Sequence, residues 1–178
     1  ARYVADPGFV AAPGGDWQRL LDPAYLARRA ALVGPRSLGQ AAAGDPGSTG
    51  GPRADMPAQP EAGTSHVSIV DAAGRAVALT TTIEAQFGAR LLSDGGTGLP
   101  GGFLLNNQLT DFALAPADAQ GRPVANRIQP GKRPRSSMSP TLVFDRRDGA
   151  LVMSLGSPGG AAIPHFVAKQ LFGTLRWG

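Results

Sequence analysis

A chain of 178 residues, 42% hydrophobic and 17% charged, is long enough for a packed core and is not charge-driven disorder. It holds no run of ~18 apolar residues that could span a membrane. The absence of cysteine excludes disulfides, thiolate metal sites and a cysteine nucleophile, and leaves the cytoplasm and the periplasm equally open. A net charge of +4 raises nucleic acid as a partner, but the basic clusters, such as Lys132-Arg133-Pro134-Arg135 and Arg146-Arg147, are short, and no aromatic residues alternate with them as a stacking surface requires.

The first residues, Ala1-Arg2-Tyr3-Val4-Ala5-Asp6, lack the basic flank and apolar stretch of a signal peptide. The chain opens and closes abruptly, as a piece of something longer would. Asp22 is a good N-cap, Pro23 suits the first helical position, and Leu26, Ala30 and Val33 recur at helical spacing, so a short helix is expected until Gly34-Pro35 stops it. Residues 34–63 hold 7 Gly and 5 Pro, with Leu38 and Met56 as the only large apolar side chains. Such a stretch buries too little surface to offset the entropy of ordering it, and a flexible linker is expected.

From Thr64 onward the texture changes to strands. Residues 66–71 and 76–83 are β-favouring, with Ala72-Ala73-Gly74-Arg75 as the turn between them. A further strand is expected at 102–105. A second hairpin should pair 141–144 with 151–155 across 145–149, and a helix should run over about 161–175, with Ile163, Val167, Leu171 and Leu175 on one face. No repeats or heptads occur.

Motifs for other chemistries are scarce. His66 and His165 are the only histidines and are not at zinc spacing, so no metal and no cofactor is expected. No GxGxxG follows a strand, no P-loop is present, and Gly95-Gly96-Thr97-Gly98 suits a flexible loop. A Ser-His-Asp triad would lack a GxSxG elbow. The boundary at Gly63-Thr64 stands out, because a polar linker ends there on a small residue and a hydroxyl residue opens the first strand. Were that peptide bond cut, Thr64 would carry a free α-amino group with a pKa near ~8, able to act as general base for its own hydroxyl. On the residues alone, a strand-opening threonine and a nucleophile stand side by side.

The run Thr64-Ser65-His66-Val67-Ser68-Ile69-Val70-Asp71, with Gly74 and Ala76-Val77, resembles the opening of the small subunit of gamma-glutamyltranspeptidases. Four further blocks follow in family order: Thr80-Thr81-Thr82-Ile83 with Phe87-Gly88; Gly102-Phe103-Leu104-Leu105-Asn106-Asn107-Gln108-Leu109-Thr110-Asp111-Phe112; Pro130-Gly131-Lys132-Arg133-Pro134-Arg135-Ser136-Ser137-Met138-Ser139-Pro140-Thr141; and Gly156-Ser157-Pro158-Gly159-Gly160. All five fall within the 115 residues 64–178. Residues 1–33 resemble the end of the large subunit more weakly. The resemblance implies an α+β fold, a partial N-terminal-nucleophile hydrolase αββα sandwich. It divides the chain into 1–33 as the end of the large-subunit region, 34–63 as the linker before the self-cleavage site, and 64–178 as a C-terminally truncated catalytic core.

The resemblance also implies roles. Thr64 matches the nucleophile of self-cleavage and turnover, and Thr82 the threonine that hydrogen-bonds it. Gly159 and Gly160 match the oxyanion-hole pair, which suits two residues ahead of a helix, where N–H groups are unsatisfied. Ser136 and Ser137 match the binders of the substrate α-carboxylate, and Asp111 and Gln108 those of its α-ammonium. Lys132 and Arg133 suit scaffold or surface charges. Two positions depart from the family pattern: Glu84 replaces an asparagine common in glutathione-processing members, and Thr110 replaces an aspartate. The activity implied is transfer or hydrolysis of γ-glutamyl amides through an ester on Thr64, after autocatalytic cleavage at Gly63-Thr64. Its partners would be a γ-glutamyl substrate, an amino-acid or peptide acceptor, and the large subunit of the same precursor, in a periplasmic or secreted setting. A related acylase acting on a non-peptide amide such as a β-lactam side chain is the second reading, kept open by Glu84. A basic, non-catalytic binding fragment is the third.

Overall fold

The computed structural model describes residues 2–47, 53–59 and 63–177, and its helices and strands make an α+β fold. The chain divides into two compact units, Ala1–Pro57 with Phe112–Arg135, and Ala58–Asp111 with Ser136–Gly178. The division differs from the expected boundaries, since it joins the start of the chain to a segment from within the expected catalytic core.

In the first unit the Asp6 carbonyl accepts from the N–H groups of Phe9 and Val10, and its carboxylate accepts from Gly8 N–H. Two 3-10 turns, Pro13–Gly15 and Trp17–Leu21, lead into helix α1, Pro23–Ala30. The expected cap is in place: Asp22 Oδ1 accepts from Tyr25 N–H at 2.7 Å, and Pro23 sits in the first turn, where no N–H is needed. The helix stops short of Val33. Leu32 and Val33 donate to Arg29 and Ala30, a tightening to 3-10 geometry ahead of Gly34-Pro35.

Ala54, Met56, Ala113 and Val124 form the apolar core of this unit, each no more than 5% exposed. Ala54 forms a parallel bridge with Val124 and donates to the Pro123 carbonyl at 3.1 Å. The side chain of the fully buried Asn126 donates to Met56 Sδ at 3.5 Å and accepts from Arg135 N–H at 3.0 Å. Two residues of the stretch expected to be too apolar-poor to pack are thus core residues. The composition argument weighed only local residues, whereas the surface that covers Met56 comes from 70 residues further along. Residues 48–52 and 60–62 of that stretch lie outside the described residues.

Charged groups tie the same unit together. The buried Lys132 donates from Nζ to the carbonyls of Ala125 at 2.6 Å and Arg127 at 3.0 Å, and to Gln129 Oε1 at 3.2 Å. Burial pushes its pKa below the ordinary lysine value, helped by the nearby charge of Arg127. Arg133 pairs with Asp6 at 3.2 Å. Hydrogen bonds from the Arg133 side chain, then from the backbone N–H groups of Arg133 and Gly8, lower the Asp6 pKa to about 2. Both cations serve the scaffold.

The second unit begins with an antiparallel hairpin of β1, Ser65–Val70, and β2, Ala76–Thr81, in register Ser65↔Thr81 to Val70↔Ala76. Asp71 fixes the turn by accepting from the N–H groups of Ala73 and Arg75, and Gly74 supplies the φ of 80° the turn requires. The pairing ends at Thr81, two residues before the expected strand end, because Glu84 turns the chain with a φ of 75°. A short ladder joins β3, Leu92–Ser93, to β4, Phe103–Leu104. The first of these strands had no sequence signal of its own. Between them Asp94 accepts from the N–H groups of Gly96 and Gly98, so the glycine-rich run is a loop closed on a carboxylate.

The second expected hairpin pairs β5, Thr141–Phe144, with β6, Leu151–Leu155, with an irregularity between Val143 and Phe144. It neighbours the first hairpin: the Ser154 hydroxyl donates to Ser68 Oγ at 3.0 Å. Helix α2, Ile163–Trp177, follows, with Ile163 and Val167 buried. Among the described residues no helix is long and apolar enough to cross a membrane.

Candidate active site

The local chain around residue 63 is shaped by what it leaves no room for. A Cβ at Gly63 would run into the carbonyl oxygen of Glu84. Glu84 itself is held in a left-handed conformation that costs a non-glycine residue about 1 kcal/mol or more, and three contacts fix it there. Its N–H donates to Thr82 Oγ1 at 2.8 Å, its Oε2 accepts from Asn107 Nδ2 at 2.7 Å, and Asn107 Oδ1 accepts from the next N–H, that of Ala85, at 3.0 Å.

Two hydroxyls converge on the peptide bond at this position. Thr64 Oγ1 donates to the Gly63 carbonyl oxygen at 2.6 Å, and Thr82 Oγ1 donates to the same oxygen, also at 2.6 Å. Thr82 therefore sits on the carbonyl of the expected scissile bond, rather than on the Thr64 hydroxyl, while that bond is intact. The oxygen that would carry negative charge during attack on this carbonyl already has a donor aimed at it. A cleft of about 320 Å³ opens beside it, lined by Gly63, Thr64 and Ser65 and by residues 81–87.

Of the expected site residues, Thr64, Thr82 and Glu84 are brought together here. Gln108, Asp111, Ser136, Ser137, Gly159 and Gly160 do not line this cleft. Gln108 and Asp111 begin and end a 3-10 turn, Gln108–Asp111, both half-buried. Thr110 pins that turn by donating from its N–H and its hydroxyl to the Asn107 carbonyl at 3.1 and 3.0 Å, so the residue gripping Glu84 also anchors the turn. Ser136, exposed, and Ser137, half-buried, lie just ahead of β5.

Gly159 and Gly160 link β6 to α2. Gly159 has a φ of 127° and caps the turn Gly160–Ala162 that runs into the helix, and a side chain on it would meet the Phe166 ring at 2.6 Å. Glycine is required there on two counts, backbone and contact. No described hydrogen bond uses the N–H of Gly160, which stands at the positive end of that helical run.

Three residues with structural consequences at this site were not singled out from the sequence. Asn107 was visible only as part of a motif. His66 stands in the sequence only as a strand and motif residue off zinc spacing, although its place two residues after Thr64 on an alternating strand puts it on the same side of the chain. Gly156 gave no signal beyond lying in a glycine-rich block.

A family model described as gamma-glutamyltranspeptidase matches residues 1–178. The glutathione hydrolase proenzyme of Pseudomonas aeruginosa is 40% identical over 92% of this chain, which covers 26% of that protein. The Acylase ACY 1 proenzyme of a Pseudomonas species is 36% identical over 90% of the chain and 24% of its own length. A solved gamma-glutamyltranspeptidase from Pseudomonas nitroreducens, complexed with L-DON, is 40% identical, with a TM-score of 0.48 over 63% of this chain and 56% of that one. The chain thus spans about a quarter of the length of these curated relatives.

Proposed function

Because the chain belongs to the gamma-glutamyltranspeptidase family, we propose that it carries the nucleophile of an enzyme that transfers or hydrolyses γ-glutamyl amides, and that the nucleophile is Thr64, freed by cleavage at Gly63-Thr64. The observation that carries this reading is the pair of hydroxyls on one carbonyl. Thr64 Oγ1 lies against the Gly63 carbonyl that it would attack, and Thr82 Oγ1 donates to the oxygen that would become negative. Attack transfers the Gly63 acyl group from the Thr64 nitrogen to its oxygen, and water then hydrolyses the ester. The α-amino group is left free as a base beside the hydroxyl.

In turnover the same oxygen would take the γ-glutamyl group. The N–H groups of Gly159 and Gly160 would receive the developing oxyanion, Asp111 and Gln108 would hold the α-ammonium, and Ser136 and Ser137 the α-carboxylate. The remaining walls would come from the large subunit of the same precursor. The test is Thr64→Ala in the full-length precursor: it should remain uncut and inactive, and the wild-type mature chain should begin at Thr64 by mass spectrometry. A mature chain beginning elsewhere rejects the assignment.

An acylase reading is the second, supported by the 36% identity to Acylase ACY 1 and by a carboxylate, Glu84, at the cleft. Asp111→Asn separates the two. If Asp111 holds an α-ammonium, the variant should lose roughly 10- to 150-fold in kcat/KM for a γ-glutamyl anilide and little for a glutaryl amide, which lacks the amino group. Equal losses on both favour the acylase.

A further inference from the structure

His66 makes more contacts than a strand residue needs. Its Nδ1 lies 2.8 Å from Oγ1 of Thr80, its cross-strand partner and itself buried, and its Nε2 lies 3.0 Å from Ser68 Oγ. Ser68 accepts in turn from Ser154 on β6, whose hydroxyl also reaches the Val77 carbonyl at 3.4 Å. The imidazole is thus held at both nitrogens, and its rotamer is fixed.

The ring so fixed lies directly on Gly156. A methyl group built on Gly156 would overlap Nδ1, Cε1 and Cγ of His66. Gly156 is not among the glycines with positive φ, so the backbone does not demand glycine there; the ring does. Gly156 is also the first residue after β6 and opens the segment that continues through Gly159 and Gly160. On the other side, His66 is two residues from Thr64. One rigid aromatic ring therefore spaces the strand that begins beside the nucleophile from the loop that leads to the two glycines.

We infer that His66 is a positioning residue: it sets the distance between Thr64 and the N–H groups of Gly159 and Gly160. This rests on the reading of Thr64 as nucleophile and of those glycines as oxyanion donors. Donors that meet charge only in the transition state act on kcat and leave ground-state binding alone. A displacement of about 1 Å in such a group costs on the order of 100-fold in rate.

The experiment uses the full-length precursor and steady-state kinetics on a γ-glutamyl anilide, comparing wild type with Gly156→Ala, His66→Ala, the double variant and His66→Asn. Gly156→Ala should lower kcat on the order of 100-fold with little change in KM, because the methyl pushes the loop off the ring. Removing the ring in the double variant should return at least about tenfold of that loss. His66→Asn keeps a hydrogen-bonding atom toward Thr80 but loses the ring's Cε1 over Gly156 and the Nε2 contact with Ser68, so it should fold, cut itself and show a lower kcat at an unchanged KM. Melting curves identify any variant that fails to fold, and His66→Asn then decides alone. Wild-type kcat in Gly156→Ala, losses that simply multiply in the double variant, or a His66→Asn defect confined to KM would each overturn the inference. A wild-type precursor that is inactive or cut elsewhere removes the reading of Thr64, and the positioning role falls with it. An active wild type with indifferent variants removes the positioning role alone.

Discussion

The two units bury apolar surface in opposite proportion to their sequence signals. The first holds Val10, Ala54, Met56, Phe112, Ala113, Val124 and Ala125, seven of the nine buried apolar residues described, while the second holds only Ile163 and Val167. Yet the second contains both clear hairpins. Val67, Ile69, Val77 and Leu79 pair across the first hairpin on one face, and each is more than 40% exposed. The difference separates two kinds of information. Alternation along a strand says which residues share a face, but burial needs a second surface. In the first unit that surface is supplied by residues 112–135, whereas the face of the β1–β2 hairpin lacks one among the described residues.

The comparison can be broken most directly at Asn126. Asn126→Ala removes a fully buried side chain and leaves the Arg135 N–H without its acceptor, and should destabilise the first unit by about 2–4 kcal/mol. Denaturant unfolding of the 178-residue chain would measure it, and a loss below about 1 kcal/mol would mean the unit is not held by this core.

A smaller effect is expected in acid. The Asp6 pKa is lowered to about 2 from 3.8 by Arg133 and two backbone N–H groups, so its stabilising contribution is full above about pH 4 and is lost as the pH falls toward 2. The wild-type melting temperature should fall across that window. Asp6→Asn should start lower and fall less, and parallel curves would show that the pair contributes nothing.

The smallest effect belongs to the second unit. Leu79→Thr, on a strand face half exposed in this chain, should change the stability of the 178-residue chain by less than about 1 kcal/mol. Repeating it in the full-length precursor sharpens the contrast, since a larger loss there would mean that another part of the protein covers this face.

Much of the local structure was legible in the sequence. Asp22 and Pro23 marked the start of α1, Ala72-Ala73-Gly74-Arg75 the first turn, and Asp145 to Gly149 the second, because a cap or a tight turn is decided by a few consecutive residues. The end of α1 was placed too late, since Val33 matched the helical period but had no surface to pack on and is 80% exposed. At the candidate site, the sequence offered Thr64, Thr82 and Glu84, and the structure brings these three to one cleft.

By itself, then, the sequence determined the family, the positions of the hairpins, and the small residue followed by a hydroxyl at 63–64. Each is written in neighbouring residues or in ordered motifs. Tertiary structure alone decided that Ala54 and Met56 are core, that the Thr82 hydroxyl lies on the Gly63 carbonyl, that Asn107 holds Glu84, and that the His66 ring occupies the space over Gly156. Each of these joins residues far apart in the chain, and no local period or composition encodes such a contact. It exists only once folding has brought two surfaces within a few ångströms.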